Sequence, residues 1–209
     1  MATLTAMGRT EIAADDPRAA DVQALLRRHL EFAHATTPPE GVHALDTTGL
    51  LDPAVTVFSL RRDGELIAIG ALKELDPRHG EVKSMHTAAA ARGSGAGRAM
   101  LTHLVSVAAE RGYERLSLET GSMAAFGPAR ALYASAGFTL CGPFATYQPS
   151  PTSTFMTLAV HRTAAPPVAA AAPSDAGPAA PDPPAERQQD QPGDGDHRPG
   201  PGPEVAARH

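Results

Sequence analysis

The stretch Arg92–Gly97, with the sequence RGSGAG, lies between a strand-like run, Glu81–Thr87, and an amphipathic helical pattern that ends at Gly112. Glycines let the backbone approach a ligand oxygen closely, and the first amides of a helix have no acceptor within the helix. A strand, a glycine-rich turn and a helix N-terminus in this order therefore predict an anion site of the kind that holds a phosphate group.

Two common phosphate-binding motifs do not fit this segment. A P-loop closes with Gly-Lys-Ser/Thr, which this stretch lacks. A dinucleotide fingerprint needs a third glycine where this chain has Arg98. From the glycines alone, a strand-to-helix turn without any ligand is an equal alternative.

The wider spacing resembles two motifs of the GCN5-related N-acetyltransferases (GNAT). Arg92-x-x-Gly95-x-Gly97 is similar to the family's Arg/Gln-x-x-Gly-x-Gly/Ala, which binds the pyrophosphate of acetyl-CoA. Ala129–Phe138 is similar to the family's Ala-x-x-Leu-Tyr-x-x-x-Gly-Phe. The runs EVKSMH, LSLETGS and PFATY resemble a bacterial subgroup of uncharacterised N-acetyltransferases. Together these likenesses cover most of the chain before its C-terminal quarter.

A change in composition divides the 209 residues into two parts. From residue 163 onward the chain is largely Ala, Pro, Gly, Asp, Gln and Arg, with no aromatic residue. Such a segment buries too little apolar surface to offset the entropy of ordering it. We therefore expect a folded domain at residues 1–162, long enough for a substantial core, and a disordered tail at residues 163–209. The resemblance implies that the folded part is an N-acetyltransferase (GNAT) domain.

Charge and cysteine content narrow the function classes. A formal net charge of −5 argues against a nucleic acid held by general electrostatics. The single cysteine, Cys141, excludes an intrachain disulfide and indicates a reducing cytoplasm. We expect no membrane span, because no apolar run approaches the required length, and no metal, because the histidines are scattered. A homodimer is left open.

Hydrophobic periodicity predicts the element order β-α-β-β-β-α-β-α-β-β. This order describes an α/β fold, a mixed sheet with helices on both faces, which is also what the GNAT resemblance implies. The strands before the glycine turn form an antiparallel meander. The first parallel pairing is expected between residues 81–87 and 115–120, because the helix at 97–111 connects these two strands by a crossover.

Local signals predict where several elements begin and end. Asp16 and Pro17 favour the start of the first helix, as N-cap and first helical residue. Asp63-Gly64 predicts a hairpin turn. The polar stretch Thr36–Asp52 predicts a loop, and the resemblance places this region beside the acceptor pocket.

The resemblance implies direct transfer of an acetyl group from acetyl-CoA, which binds along one strand and the glycine turn. The strands 81–87 and 115–120 would splay apart, with pantetheine between them and a main-chain N–H near Met85 polarising the thioester carbonyl. The residues that we expect to bind the cofactor are Met85, His86, Thr87, Arg92, Gly93, Ser94, Gly95, Ala96, Gly97 and Arg98.

Three side chains are candidates for proton transfer. Tyr133 matches the tyrosine that protonates the departing thiolate in many family members, although a core aromatic is the alternative. Glu81 precedes Arg92 at the spacing of the base glutamate in the histone-acetyltransferase branch. Lys83 projects to the same strand face, and pairing with Glu81 would weaken Glu81 as a base. Glu119 is the competing base or acceptor anchor, and a water chain serves as the base in some relatives.

The acceptor is the least determined part of the reaction. We expect the primary amine of a small molecule; the alternatives are a protein N-terminus or lysine, and a non-catalytic acyl-CoA sensor. One departure from the family pattern affects the cofactor site. Many members carry Asn three residues before the Ala of Ala-x-x-Leu-Tyr, where this chain has Phe126, and this puts one cofactor contact in doubt.

Overall fold

The computed structural model describes residues 8–37 and 48–161. The predicted tail at 163–209 and most of the predicted 36–52 loop lie outside this range. The helices and strands follow the predicted order. They are β1 (Thr10–Ala14), α1 (Ala20–Thr36), β2 (Val55–Arg62), β3 (Glu65–Asp76), β4 (His79–Thr87), α2 (Ala96–Glu110), β5 (Arg115–Gly121), α3 (Gly127–Ser135), β6 (Thr139–Leu140) and β7 (Ser153–Ala159).

The strands form one mixed sheet in the order β1-β2-β3-β4-β5-β7-β6. β4 and β5 pair in parallel, and the other neighbours in this order pair antiparallel. The predicted fold class, meander and first parallel pairing are thus confirmed. β7 lies between β5 and β6, so the last strand among residues 48–161 is not at the edge of the sheet.

The β2–β3 connection has the predicted hairpin geometry. Asp63 and Gly64 both have positive φ angles, 51° and 85°. Positive φ at both central residues is the requirement of a type I′ turn, whose twist matches that of the strands it joins. The turn therefore follows from the two residues themselves.

Helices cover both faces of the sheet, and each buries its own apolar stripe. On one face, α2 packs Met100, Leu101 and Leu104, each at most 1 % exposed, into the larger core cluster. On the other face, Val22 of α1 contacts the cluster that contains Ile69 of β3. Among the described helices, none combines the length and the apolar character that a membrane crossing requires.

The predicted start of α1 is wrong by a few residues. The α-helix begins at Ala20, after Ala19 in an extended conformation, with ψ of 136°. The Asp16 carboxylate accepts from the backbone N–H of Arg18 at 2.8 Å and also binds its guanidinium at 3.0 Å. Asp16 and Pro17 therefore form a local turn before the helix. The Asp16 side chain binds Arg18 within this turn and does not cap the helix, which starts at Ala20.

Candidate active site

The loop between β4 and α2 presents its backbone to a cavity. Gly93 and Gly95 have φ angles of 76° and 87°, and a Cβ atom at either glycine would meet nothing within 4 Å. Ser94 closes the turn by donating from Oγ to the carbonyl oxygen of Ala91 at 2.7 Å. α2 begins at Ala96, so the first amides of a 15-residue helix directly follow the glycines. This combination of open space and amide donors suits an anionic group.

β4 and β5 separate before they reach this loop. Their last parallel pair is Val82 with Leu118; beyond it β5 continues along β7, and β4 along β3. Ser84, with φ of 52°, forms a bulge that shifts the register between β3 and β4. The register thus confirms the predicted separation of the two central strands, which opens a gap at the end of the sheet that carries the glycine loop.

A cavity of about 560 Å³ is lined by this loop, by the strand gap and by helix α1. It brings together most of the residues that the sequence predicted for the site: Met85, His86, Thr87, Arg92, Gly93, Gly95, Ala96, Gly97, Arg98, Glu119 and Tyr133. The lining residues do not include Ser94 or Glu81. The α1 wall includes His29, Phe32 and Ala33, none of which the sequence pattern marked as functional.

Glu81 lies inside the protein in a hydrogen-bonded cluster with Lys83 and Tyr147. Its side chain is 4 % exposed, and its Oε1 accepts from Lys83 Nζ at 3.0 Å and from the Tyr147 hydroxyl at 2.6 Å. Lys83 Nζ also donates to the Tyr147 oxygen at 2.7 Å. Glu81 and Lys83 therefore form the ion pair that the sequence left as a possibility. Burial, followed by the charge of Glu81, raises the pKa of Tyr147, so its phenol remains a donor.

Tyr133 and Glu119 line the cavity from α3 and β5. Tyr133 is 7 % exposed. Burial, followed by the charge of Glu119, raises the pKa of its phenol. The hydroxyl therefore carries a proton at neutral pH, as a proton donor must. Glu119 lies opposite Phe155 in the β5–β7 ladder, one residue beyond the last β4–β5 pair.

His29 and His86 form a pair of uncharged rings at the cavity wall. Their centroids are 5.4 Å apart in an edge-on arrangement. Burial is the main cause that lowers the pKa of both rings to about 4. The neighbouring His86 and Lys83 contribute to the lowered pKa of His29. Arg92 and Arg28 do the same for the pKa of His86. The sequence marked His86 as a cofactor contact. It did not mark His29, because a helical pattern alone does not show which distant strand the helix will cover.

Phe126 occupies the position at which many family members carry Asn. Its ring fills the space beside Gly121, where an added Cβ would lie 2.4 Å from it. The same ring packs edge-on against Phe32 of α1, with centroids 5.2 Å apart. This chain therefore has an apolar wall at that position, which joins α1 to the segment before α3.

The cavity fits an acyl-CoA in its chemistry. Loop amides and the Arg92 side chain suit a pyrophosphate, the strand gap suits an extended pantetheine arm, and Tyr133, whose hydroxyl is protonated, lines the same cavity. The model of the Acetyltransferase (GNAT) family matches residues 20–138. The chain belongs to the GNAT acetyltransferase family.

Individual GNAT relatives agree with this assignment. The "Uncharacterized N-acetyltransferase YsnE" of Bacillus subtilis is 50 % identical over 143 residues, which are 68 % of this chain and 95 % of the relative. The "IAA acetyltransferase" of Azospirillum brasilense is 34 % identical over 72 % of this chain and 97 % of the relative. A solved Klebsiella pneumoniae structure, provisionally named an acyl-CoA N-acyltransferase, superposes with a TM-score of 0.63 at 28 % identity, covering 73 % of this chain and 98 % of that one. This GNAT protein is therefore an acyltransferase enzyme that uses an acyl-CoA donor.

Proposed function

We propose that this enzyme transfers the acetyl group of acetyl-CoA to the primary amine of a small molecule, by direct attack within a ternary complex. One observation carries the proposal: a single cavity joins the glycine loop and the α2 N-terminus to Glu119 and Tyr133 through the gap between β4 and β5. Donor, acceptor and proton-transfer groups can therefore meet without a covalent enzyme intermediate. The lone Cys141 supports a cytoplasmic setting.

The donor end is assigned to the glycine loop and to the free end of β4. Amides from Arg92 to Arg98 would bind the pyrophosphate, and the Arg92 guanidinium would add positive charge. Backbone groups of Met85, His86 and Thr87, which lie beyond the last parallel pair, would bind pantetheine. The amide N–H near Met85, just past the Ser84 bulge, would stabilise the oxyanion that forms on the thioester carbonyl.

The reaction requires two proton transfers. The amine nitrogen forms a bond to the carbonyl carbon as the carbon–sulfur bond breaks, the nitrogen loses a proton to a base, and the sulfur gains one. Tyr133 is the proposed donor to sulfur, since it lines the cavity and its hydroxyl is protonated at neutral pH. Glu119 is the proposed base or amine anchor. Glu81 remains an alternative base, but its contacts with Lys83 and Tyr147 support a structural role.

The shape of the cavity supports a small acceptor over a protein segment. His29 and Phe32 of α1 line the same cavity as Glu119 and Tyr133, so a helix forms part of the wall around the space left to the acceptor. A relative that is covered over almost its full length is named "IAA acetyltransferase", and this name mentions no protein acceptor. A protein N-terminus or lysine would react by the same chemistry, and a peptide panel separates the two acceptor classes.

Calorimetric titration with acetyl-CoA tests the donor site. Gly95→Glu places a negative charge beside the expected pyrophosphate and should abolish micromolar binding. Gly64→Glu is the matched control. The φ angle of Gly64, +85°, is close to the +87° of Gly95, and an added side chain would find open space at either glycine. Gly64, however, lies in the β2–β3 turn and does not line the cavity. Equal loss in both variants would mean that backbone strain alone is responsible.

Turnover separates an enzyme from a sensor. Release of the CoA thiol with amines or peptides, reduced strongly by Tyr133→Phe, would support the transferase. Tight acetyl-CoA binding without turnover of any amine or peptide would instead favour a non-catalytic acyl-CoA sensor. A folded wild type that does not bind acetyl-CoA would refute both.

A further inference from the structure

A cation and a carboxylate face each other across the strand gap. Lys83 and Glu119 each lie one residue beyond the last parallel pair, Val82 with Leu118. Residues at equivalent positions of paired strands project to the same face, and paired strands are about 4.8 Å apart. Both residues line the cavity. An acceptor at the narrow end of the gap, next to the last parallel pair, therefore meets a positive group on one strand and a negative group on the other.

Lys83 has a donor that can serve a ligand. An ammonium group carries three N–H donors. Lys83 directs two of them to Glu81 Oε1 and to the Tyr147 oxygen, at 3.0 and 2.7 Å. These contacts hold Nζ in a defined position, and its side chain is only 9 % exposed. The third N–H can therefore bind an acceptor group in the cavity without a large loss of side-chain entropy.

The His29–His86 pair adds neutral donors to the same end of the cavity. Each uncharged imidazole retains one N–H. The charged groups that act on the two rings are cations: Lys83 on His29, and Arg92 and Arg28 on His86. A desolvated, electropositive wall with N–H donors favours an anionic group of the ligand and disfavours a second ammonium group.

We propose that the acceptor is an amino acid with a free carboxylate, which binds Lys83 and the His29–His86 pair while its amine lies at Glu119. This inference rests on the proposed function and names its class of amine. One carbon separates the amine from the carboxylate in an α-amino acid, so both groups can reach across a gap of strand width. The Phe32–Phe126 wall favours an apolar side chain. A polyamine offers nothing for Lys83.

Paired acceptors test the role of the carboxylate. Phenylalanine and phenethylamine differ by this group alone, and CoA release gives kcat/KM for each. Wild type should prefer phenylalanine about tenfold or more, since a charge-assisted hydrogen bond discriminates on this scale. Lys83→Gln should bring the preference close to unity, whereas Arg78→Gln, at an exposed ion pair with Glu114, should preserve it. Equal use of both acceptors by wild type, or a preference unchanged in Lys83→Gln, overturns the inference.

A second variant covers the event that Lys83→Gln unfolds the protein by leaving Glu81 buried without its cation. Glu81→Gln/Lys83→Met removes both charges at nearly constant volume, and its effect is measured by binding as well as by activity. N-Acetylphenylalanine, added without acetyl-CoA, should shift the histidine ring resonances of His29 and His86, and N-acetylphenethylamine should not. The double variant should show neither shift. Identical responses to the two amides, or an unchanged response in the double variant, contradict the inference.

The failure of this inference differs from the failure of the proposed function. If the protein binds no acetyl-CoA, or turns over no amine, the proposed function is wrong. If acetyl-CoA binds normally and amines without a carboxylate react as well as amino acids do, only the assignment of an amino acid acceptor is wrong.

Discussion

We expect acid to reduce the free energy of unfolding between pH 6.5 and pH 4, because His29 and His86 are neutral in the folded protein. Burial, with neighbouring cations, lowers the pKa of both to about 4, against about 6.5 in an unfolded chain. As the pH falls, the unfolded chain therefore binds protons first. The stability that these rings contribute is complete above pH 6.5 and is lost as the pH falls through 4.

The size of the effect follows from these two pKa values. At about 1.36 kcal/mol per pKa unit, one such histidine loses about 2 kcal/mol of stability between pH 7.5 and pH 5. We expect about 3 kcal/mol for the pair, less than twice the single value, because both rings border the cavity and water there screens their charge. This is a substantial part of the roughly 5–15 kcal/mol that stabilises a typical domain.

Urea unfolding at pH 7.5 and pH 5, followed by circular dichroism, measures this loss. The variant His29→Gln/His86→Gln keeps polar side chains that do not titrate, and should lose about 3 kcal/mol less than wild type over this pH interval. His34→Gln, at an exposed position of α1, is the control and should behave as wild type does. If wild type and the double variant lose the same amount, the two histidines do not carry the acid sensitivity and the reasoning is refuted.

Three further predictions concern the core, the buried cluster and the chemistry. Leu104→Ala removes a fully buried side chain and should lower the free energy of unfolding in urea by about 2–5 kcal/mol. Its control is Leu140→Ala, at a side chain that is 75 % exposed, which should change this free energy by no more than about 0.5 kcal/mol. Tyr147→Phe removes the donor to Glu81 and should cost about 1–3 kcal/mol in the same assay; an unchanged midpoint would contradict a stabilising role for the cluster. Tyr133→Phe should lower kcat about a hundredfold and leave the calorimetric affinity for acetyl-CoA unchanged, and an undiminished kcat would remove Tyr133 from the mechanism.

Much of the fold was predictable because its signals are local. Asp63-Gly64 specifies a type I′ hairpin, since both residues tolerate positive φ. The predicted helix at 97–111 corresponds to α2 at Ala96–Glu110, because its apolar residues recur at helical spacing beside a glycine turn. In these segments the residues that decide the structure are neighbours in the chain.

The start of α1 shows where local signals were insufficient. Asp16 and Pro17 resemble a helix start, yet the helix begins at Ala20. Arg61 of β2 binds Asp15, which follows β1, at 2.8 Å. It also binds Asp21, which lies in the first turn of α1, so its two partners stand at the two ends of the β1–α1 connection. A contact between residues 40 or more positions apart therefore fixes how the chain enters the helix, and no pattern within the segment indicates it.

The sequence by itself determined the family to which this acyltransferase belongs. The Arg92–Gly97 turn and the motif around Tyr133 are each a continuous stretch of the chain. Both can be read from the sequence, because the residues that form each motif are neighbours in the chain. Only the tertiary structure decided which distant residues meet: Tyr147 reaches the buried Glu81 from a distant loop, and His29 of α1 meets His86 of β4 at the cavity wall. Such contacts depend on strand register and on the rotation of a helix over the sheet. Both are set by the packing of the whole core, because a shift of one residue in a strand turns every side chain to the opposite face.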